Sequence, residues 1–336
     1  MGRGGGAARQ TTDRLGNQLN IFDRRAAQSG PPREIKRDGN TMRTETGKEP
    51  IYFTEDNSVD AVVSRMAGMH DQRLKEVITS AIKHLHTFVK ETEPTHAEWM
   101  SAIEFLTRTG QTCNEWRQEW ILLSDVLGVS MLVDAINNRK PSGATETTVL
   151  GPFHVPGAPR YPNGANICLE DKGEPLLVSG RVIDTTGNPV VGAELDVWQT
   201  NAEGFYDVQQ KGIQPDHNLR GIFTADRDGR YWFRTMKPRF YPIPNDGPVG
   251  QLLESLGRHP YRPAHIHFII TAAGFQSVTT HIFAPDSEYL ESDAVFGVKE
   301  SLIADITRVN DQHKADELGF PNPYYAVNWD FILTRG

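Results

Sequence analysis

The sequence predicts a mainly β protein, with an N-terminal all-α helical domain followed by a two-sheet β-sandwich core. Two observations support this fold class. Between residues 58 and 138, apolar residues recur three and four positions apart, as on one face of a helix. After residue 141, short segments of alternating polarity are separated by Gly- and Pro-containing turns, which is typical of a sandwich. We therefore divide the chain into a tail (1–48), a helical domain (49–140) and a β-sandwich domain (141–336).

Length and charge exclude several classes of protein. The chain has 336 residues and a formal net charge of −8 at pH 7, which argues against a nucleic-acid partner. No apolar run approaches the roughly 20 residues that a membrane span needs. The two cysteines, Cys113 and Cys168, lie far apart and form no C-x-x-C pattern. This usage fits a reducing compartment, so we expect a cytoplasmic protein without disulfides.

The first 48 residues differ from the rest in composition. Basic side chains outnumber acidic ones there, and Gly, Pro and Thr fill the intervals. The segment has no apolar stretch of the kind found in a secretory signal, and its interspersed acidic residues argue against a transit peptide. We expect a basic, poorly ordered tail that carries no chemistry.

The helical domain is predicted from apolar periodicity and from one start signal. Thr95 and Glu98 have the spacing of a capping box, in which each side chain serves the other residue's backbone N–H. The second half of the domain is apolar over most of its circumference, so part of it should be buried on two sides. The predicted helices cover residues 58–69, 71–91, 99–107 and 115–138.

The strands of the sandwich domain are predicted from alternation and from the turns between them. Residues 186–189 and 226–229 have the composition of tight turns. A short helix is expected at 299–310. The predicted strands cover residues 176–184, 193–199, 222–225, 230–235, 263–270, 277–283 and 329–333, with Pro263 as the first residue of its strand.

Two histidines share one face of a predicted strand. Side chains alternate along a strand, so His265 and His267 point the same way and can both reach one metal ion. A hairpin centred near Gly274 would place His281 across from His267. By spacing alone, the pattern fits either a metal site or a polar sheet face in which each histidine finds a hydrogen bond.

Two tyrosines upstream extend the candidate ligand set. Tyr206 and Tyr241 lie in Gly- and Pro-rich surroundings before the histidine strand. A phenol with a pKa near 10 is ionised to only about one part in a thousand at pH 7, and a trivalent cation can supply the roughly 4 kcal/mol needed to ionise it. Phenolate oxygens are hard donors that favour iron(III) over zinc. The cupin pattern and the His-carboxylate facial triad each lack a member in this chain.

The order Tyr206, Tyr241 and then His265-Ile266-His267 behind Arg262-Pro263-Ala264 resembles the intradiol ring-cleaving dioxygenases. The resemblance covers roughly residues 50–336. It implies that Tyr206, Tyr241, His265 and His267 hold a non-haem Fe3+. It also implies that Tyr241 leaves the metal to take a substrate proton, and that Arg262 stabilises negative charge on the bound ring.

Within this family, the sequence is similar to the hydroxyquinol 1,2-dioxygenase branch. Catechol 1,2-dioxygenases typically carry Gln where this chain has His281, which the resemblance places among the catalytic residues. The branch implies hydroxyquinol (benzene-1,2,4-triol) as substrate, with Asp125 accepting a hydrogen bond from the additional hydroxyl. The residues implied to line the substrate pocket are Leu122, Asp125, Val149, Leu150, Gly151, Pro152, Pro242, Ile243, Pro244 and Val295.

Other interpretations stay open at this point. Catechol or a substituted catechol is an alternative substrate, and residues 178–198 also resemble non-catalytic transthyretin-like binding modules. For the enzyme, the resemblance implies an aromatic diol or triol and O2 as small-molecule partners. It further implies a homodimer joined through the helical domain, with a phospholipid at the interface. The apolar faces of residues 74–88 and 116–133 suit such an interface.

Overall fold

A computed structural model describes residues 51–115, 117–170 and 172–336. The predicted tail at 1–48 therefore lies outside the described residues. The described chain divides into two compact units, residues 51–94 and 95–336. No helix in these ranges is long and apolar enough to cross a membrane.

The first unit consists of helices. Helix α1 (Ser58–Val63) continues into a short 3-10 turn, and helix α2 (Gln72–Thr92) follows. The Asp71 carboxylate caps α2 by accepting a hydrogen bond from the backbone N–H of Leu74 at 2.9 Å. The predicted helices at 58–69 and 71–91 are thus confirmed, although the α-helical part of the first is shorter.

The second unit begins with three helices, α3 (His96–Thr112), α4 (Glu119–Val126) and α5 (Val129–Asn137). The predicted capping box opens α3. The Glu98 backbone N–H donates to Thr95 Oγ1 at 3.3 Å, and the Thr95 backbone N–H donates to Glu98 Oε2 at 2.8 Å. The single helix predicted at 115–138 was wrong, because Gly128 adopts a left-handed conformation (φ 73°) and separates α4 from α5.

Two sheets form the core of this unit. In the first sheet, β1 (Pro175–Asp184) is parallel to two strands, β10 (Tyr324–Asn328) and β11 (Phe331–Leu333). It also pairs with β4 (Arg230–Met236), which is antiparallel to it. Strand β9 (Thr307–Val309) pairs with β10 in antiparallel orientation. The second is antiparallel and is built from β3 (Arg220–Thr224), β2 (Glu194–Gln199), β7 (His265–Thr271) and β8 (Val278–Phe283), in that order.

Apolar side chains of both sheets meet in one buried cluster. Every second residue of β1 is buried, and Leu176, Val178 and Val182 of this strand are fully inaccessible. They pack in the same cluster as Phe268 and Ile270 of the second sheet. This is the alternation expected of a strand with one face on a core, so the two-sheet sandwich is confirmed.

The predicted helix at 299–310 was wrong. This stretch forms a 3-10 turn (Glu300–Leu302) and then strand β9, because pairing with β10 overrides the helical spacing of its apolar residues.

Several further elements had not been predicted. They include β10 and the helices α6 (Pro248–Ser255) and α7 (Gln312–Leu318). Helix α6 starts at a proline, and α7 is capped by the Asp311 carboxylate and terminated by Gly319 with φ 64°.

Candidate metal centre

Three histidines of the second sheet lie side by side in the interior. His265 and His267 are on β7, and His281 on β8 pairs directly with His267, as the predicted hairpin requires. Each is at most 2% exposed. One ring nitrogen of each histidine lies within 4.8 Å of a ring nitrogen of the other two, so the three could hold one metal ion.

Both predicted tyrosine ligands reach the same place from loops and short strands. Tyr206 precedes a 3-10 turn, and its backbone N–H donates to Gln209 Oε1 at 2.9 Å. Tyr241 is on the short strand β5 (Tyr241–Pro242), opposite Arg262 on β6 (Tyr261–Arg262). The two phenol rings are perpendicular with centroids 5.2 Å apart, and both residues are buried.

Donor atoms of these residues converge on one point. His267 Nε2 lies 2.8 Å from Tyr206 Oη and 3.1 Å from His265 Nε2. Ligand atoms about 2 Å from a metal at right angles to each other are about 3 Å apart, so these separations suit a shared cation. His265 Nδ1 donates to the Pro263 carbonyl at 2.7 Å, which leaves Nε2 of the neutral ring with a free lone pair on the side of the cluster.

Burial favours the neutral forms of the three histidines and of Tyr206. It lowers the pKa of His265, His267 and His281 well below its usual value, and the positive charge of Arg262 acts in the same direction. Burial also raises the pKa of Tyr206 well above 10, reinforced by a side-chain hydrogen bond with Tyr241. Neutral imidazoles are ready to bind a metal, and a buried phenol ionises there only if a cation compensates its charge. The donor set therefore fits a metal cation.

A buried guanidinium borders the cluster. Arg262 Nη1 is 3.3 Å from His265 Nε2, and Nη2 is 3.4 Å from His281 Nδ1. Asp293 holds the guanidinium in two places, with Nε–Oδ1 at 3.1 Å and Nη2–Oδ2 at 3.2 Å. Burial alone would lower the pKa of Arg262, but the charge and hydrogen bond of Asp293, together with Tyr241 and Tyr206, outweigh it and keep this pKa above its ordinary value.

Part of the predicted substrate wall lies together in one apolar cluster. Leu122, Ile243 and Val295 are buried and share this cluster with the half-buried Val149. Burial raises the pKa of the half-buried Asp125 carboxyl above its usual value, although the positive charge of Arg262 acts in the opposite direction.

The remaining residues predicted to line the substrate pocket differ in how deeply they are buried. Gly151 approaches the metal cluster so closely that a Cβ there would be 3.1 Å from His267 Cε1. Pro244 is half-buried. Leu150, Pro152 and Pro242 are exposed, and the structure does not bring them into the buried cluster.

Several residues around the site carried no recognisable sequence signal of their role. Asp293 is one, since nothing in its neighbourhood marks it as the partner of Arg262. Trp198 stacks on His267 with ring centroids 4.5 Å apart, and Phe153 stacks on Tyr206 at 4.6 Å. Alternation on β2 predicted a strand at Trp198, but its contact with a histidine depends on strand pairing.

Comparison with known proteins places the chain in a family. The family model "Dioxygenase" matches residues 150–335, and "Catechol dioxygenase N terminus" matches residues 71–145. The hydroxyquinol 1,2-dioxygenase of Rhizobium sp. (strain MTP-10005) is 63% identical over 295 residues, which is 88% of this chain and 100% of that protein. The 6-chlorohydroxyquinol 1,2-dioxygenase of Cupriavidus pinatubonensis is 48% identical, covering 84% and 98%.

Solved structures agree with the sequence comparison. The hydroxyquinol 1,2-dioxygenase from Pseudomonas putida DLL-E4 superposes with a TM-score of 0.80 at 48% identity, covering 84% of this chain and 99% of its own. The catechol 1,2-dioxygenase of Acinetobacter radioresistens gives a TM-score of 0.73 at 29% identity, covering 85% and 94%. The chain thus belongs to the intradiol ring-cleavage dioxygenases, in the branch that contains the hydroxyquinol 1,2-dioxygenases.

Proposed function

We propose that this protein is an iron(III)-dependent dioxygenase that opens the ring of hydroxyquinol between two hydroxylated carbons. The observation that carries the proposal is the buried His267 Nε2, which lies 2.8 Å from the phenol oxygen of Tyr206 and 3.1 Å from Nε2 of His265. The 63% identity to a hydroxyquinol 1,2-dioxygenase supports the choice of substrate. A non-catalytic transthyretin-like module would require neither this donor set nor the buried Arg262.

The proposed iron ligands are Tyr206, Tyr241, His265 and His267. Two phenolates and two neutral imidazoles form a hard donor set that carries two negative charges and suits a trivalent ion. When bound, iron(III) would act as a Lewis acid that favours the ionised form of the substrate hydroxyls and makes the substrate ring electron-rich.

The side chains around the metal have separate roles in the proposal. Tyr241 accepts a proton from a hydroxyl group of hydroxyquinol as the substrate binds. Arg262 stabilises negative charge on the ring, because Asp293 keeps the guanidinium charged and fixed in the site. His281 contacts Arg262 on the side of β8. Asp125 accepts a hydrogen bond from the third hydroxyl group of hydroxyquinol, which catechol lacks.

The proposed reaction balances without another cofactor. One O2 molecule adds to hydroxyquinol, the ring carbon–carbon bond between two hydroxylated carbons breaks, and both oxygen atoms remain in the product. The product is 3-hydroxy-cis,cis-muconate, which tautomerises to maleylacetate. The substrate provides all the electrons that reduce O2, so no external reductant is needed.

Oxygen uptake by the iron-replete protein tests the proposal. We expect fast uptake with hydroxyquinol and weak uptake with catechol at equal concentration. A preference for catechol would keep the reaction type and overturn the substrate assignment. If the iron-replete, folded protein takes up no oxygen with either substrate, the proposed activity is refuted.

We also propose a cytoplasmic homodimer, joined through the helical domain (49–140) and with a phospholipid at its interface. Exposed large apolar side chains on the described helices support this, because a patch of this kind usually marks an interaction site. Sedimentation of the purified protein at several concentrations tests the dimer, and organic extraction followed by phosphorus analysis tests the lipid. The exposed apolar residues of α3–α5 include Trp99, Met100, Ile103, Trp120, Ile121, Leu132, Val133 and Ile136.

A further inference from the structure

One proposed metal ligand, His267, lacks a common means of orientation. Metal-binding histidines usually donate their second ring N–H to a carboxylate, a carbonyl or water, which fixes the tautomer and the ring plane. His265 has such a contact, between Nδ1 and the Pro263 carbonyl at 2.7 Å. His267 Nδ1 is buried and has no hydrogen-bond partner among the described residues. Among the described residues, packing is therefore the restraint on this ring opposite its metal-facing nitrogen.

Non-polar contacts surround the His267 ring. The Trp198 indole lies parallel to it, with an interplanar angle of 12° and a centroid distance of 4.5 Å. This stack follows from strand pairing, since Trp198 on β2 is directly opposite His267 on β7. His281 meets the ring edge to face at 4.1 Å, and Gly151 approaches Cε1 so closely that a Cβ would be 3.1 Å away.

The indole is itself firmly held. Trp198 is 1% exposed, and the His154 ring lies 4.7 Å from it. His154 Nε2 is in turn 2.9 Å from the carboxylate of Asp196, which is two residues before Trp198 on the same strand. The indole N–H has no hydrogen-bond partner among the described residues. A phenylalanine would avoid the cost of burying that group, so the wide indole face is the feature that favours tryptophan here.

We infer that Trp198 is a positioning residue that orients His267 for metal binding by stacking, in place of the second hydrogen bond. This inference rests on the proposed function in one respect, that the metal is iron held by His267. A ring free to rotate about its χ2 angle would present Nε2 to the metal for only part of the time. Loss of the stack should therefore speed the loss of iron.

Iron release from the holoenzyme tests the inference without using turnover. The readout is the rate at which the tyrosinate-to-iron(III) charge-transfer absorbance disappears in excess chelator at pH 7. We expect release to be about tenfold faster in Trp198→Leu, and about threefold faster in Trp198→Phe. Trp329→Leu is the matched control. It removes a partly buried indole whose N–H, like that of Trp198, is unpartnered in the described chain, but this indole packs against the core away from the histidines.

The outcomes separate positioning from packing. We expect Trp198→Phe to keep the melting temperature of the apoprotein while releasing iron faster, and Trp329→Leu to lower that temperature with unchanged release. Release within twofold of the parent in Trp198→Leu would overturn the inference. If Trp198→Leu does not fold, parental release in Trp198→Phe would overturn it in the same way. A parent protein that binds no iron would refute the proposed function before any variant is compared.

Discussion

Removing the negative charge of Asp293 tests the buried ion pair beside the site and leaves every proposed metal ligand in place. The Asp293 carboxylate accepts two hydrogen bonds from Arg262 and one each from the backbone N–H groups of Val295 and Gly297. One side chain thus holds both the guanidinium of Arg262 and the loop that carries Val295, a residue of the predicted substrate pocket. The substitution Asp293→Asn keeps the shape and one acceptor oxygen but removes the charge.

The expected cost follows from burial. The side chains of Arg262 and Asp293 are only 2% and 3% exposed. Removing one partner of a buried ion pair typically costs 3–5 kcal/mol, because the other charge stays buried without compensation. Asn retains one acceptor for the loop, so we expect about 3 kcal/mol, at the lower end of that range. In a unit of this size, that loss corresponds to a melting temperature about 6–12 °C lower.

Urea and thermal unfolding of the apoprotein measure this loss, and kinetics measure its consequence for the site. We expect a lower kcat for hydroxyquinol as well, because Arg262 is no longer fixed. Asp286→Asn is the control, since its ion pair with Lys237 is on the surface, with Asp286 65% exposed, and should contribute at most about 1 kcal/mol. If Asp293→Asn is destabilised no more than Asp286→Asn, the buried pair does not have the role assigned to it.

Three other substitutions test separate parts of the structure. Tyr206→Phe removes a proposed phenolate ligand, so the red charge-transfer band of the iron-loaded protein should bleach or shift; an unchanged visible spectrum would contradict the ligand assignment. Asp125→Ala should reduce kcat/KM for hydroxyquinol more than for catechol, and an equal loss on both would refute the contact with the third hydroxyl. Thr95→Ala breaks the capping box of α3 and should cost about 1 kcal/mol in urea unfolding with unchanged kinetics; a Thr95→Ser variant, which keeps the hydroxyl, should recover most of it.

The sequence was informative wherever a local pattern has one physical solution. Alternating burial along β1 and the turn at Gly274 were predictable because strand side chains have a period of two and tight hairpins need glycine. The same logic placed His281 opposite His267. The resemblance to the intradiol ring-cleaving dioxygenases then implied Tyr206 and Tyr241 as ligands, and phenolate chemistry agrees with it because phenolate oxygens are hard donors for iron(III).

Local patterns failed where long-range pairing or a single backbone angle decided the structure. The apolar residues of 302–309 are spaced as on a helix, but strand β10 offers a pairing edge and the segment is extended. The apolar run at 115–138 gives no sign that the chain would break at Gly128, since an isolated glycine is also tolerated inside a helix. Both outcomes depend on neighbours that are distant in the chain.

The groups that orient the site share this dependence. Arg262 and Asp293 are 31 residues apart, and Trp198 meets His267 only because β2 and β7 are neighbours in register. A motif identifies groups able to bind a metal, whereas the pairing of strands determines which side chains restrain them. Because a one-residue slip between β2 and β7 would turn Trp198 away from His267, the sheet register is itself part of the proposed active site.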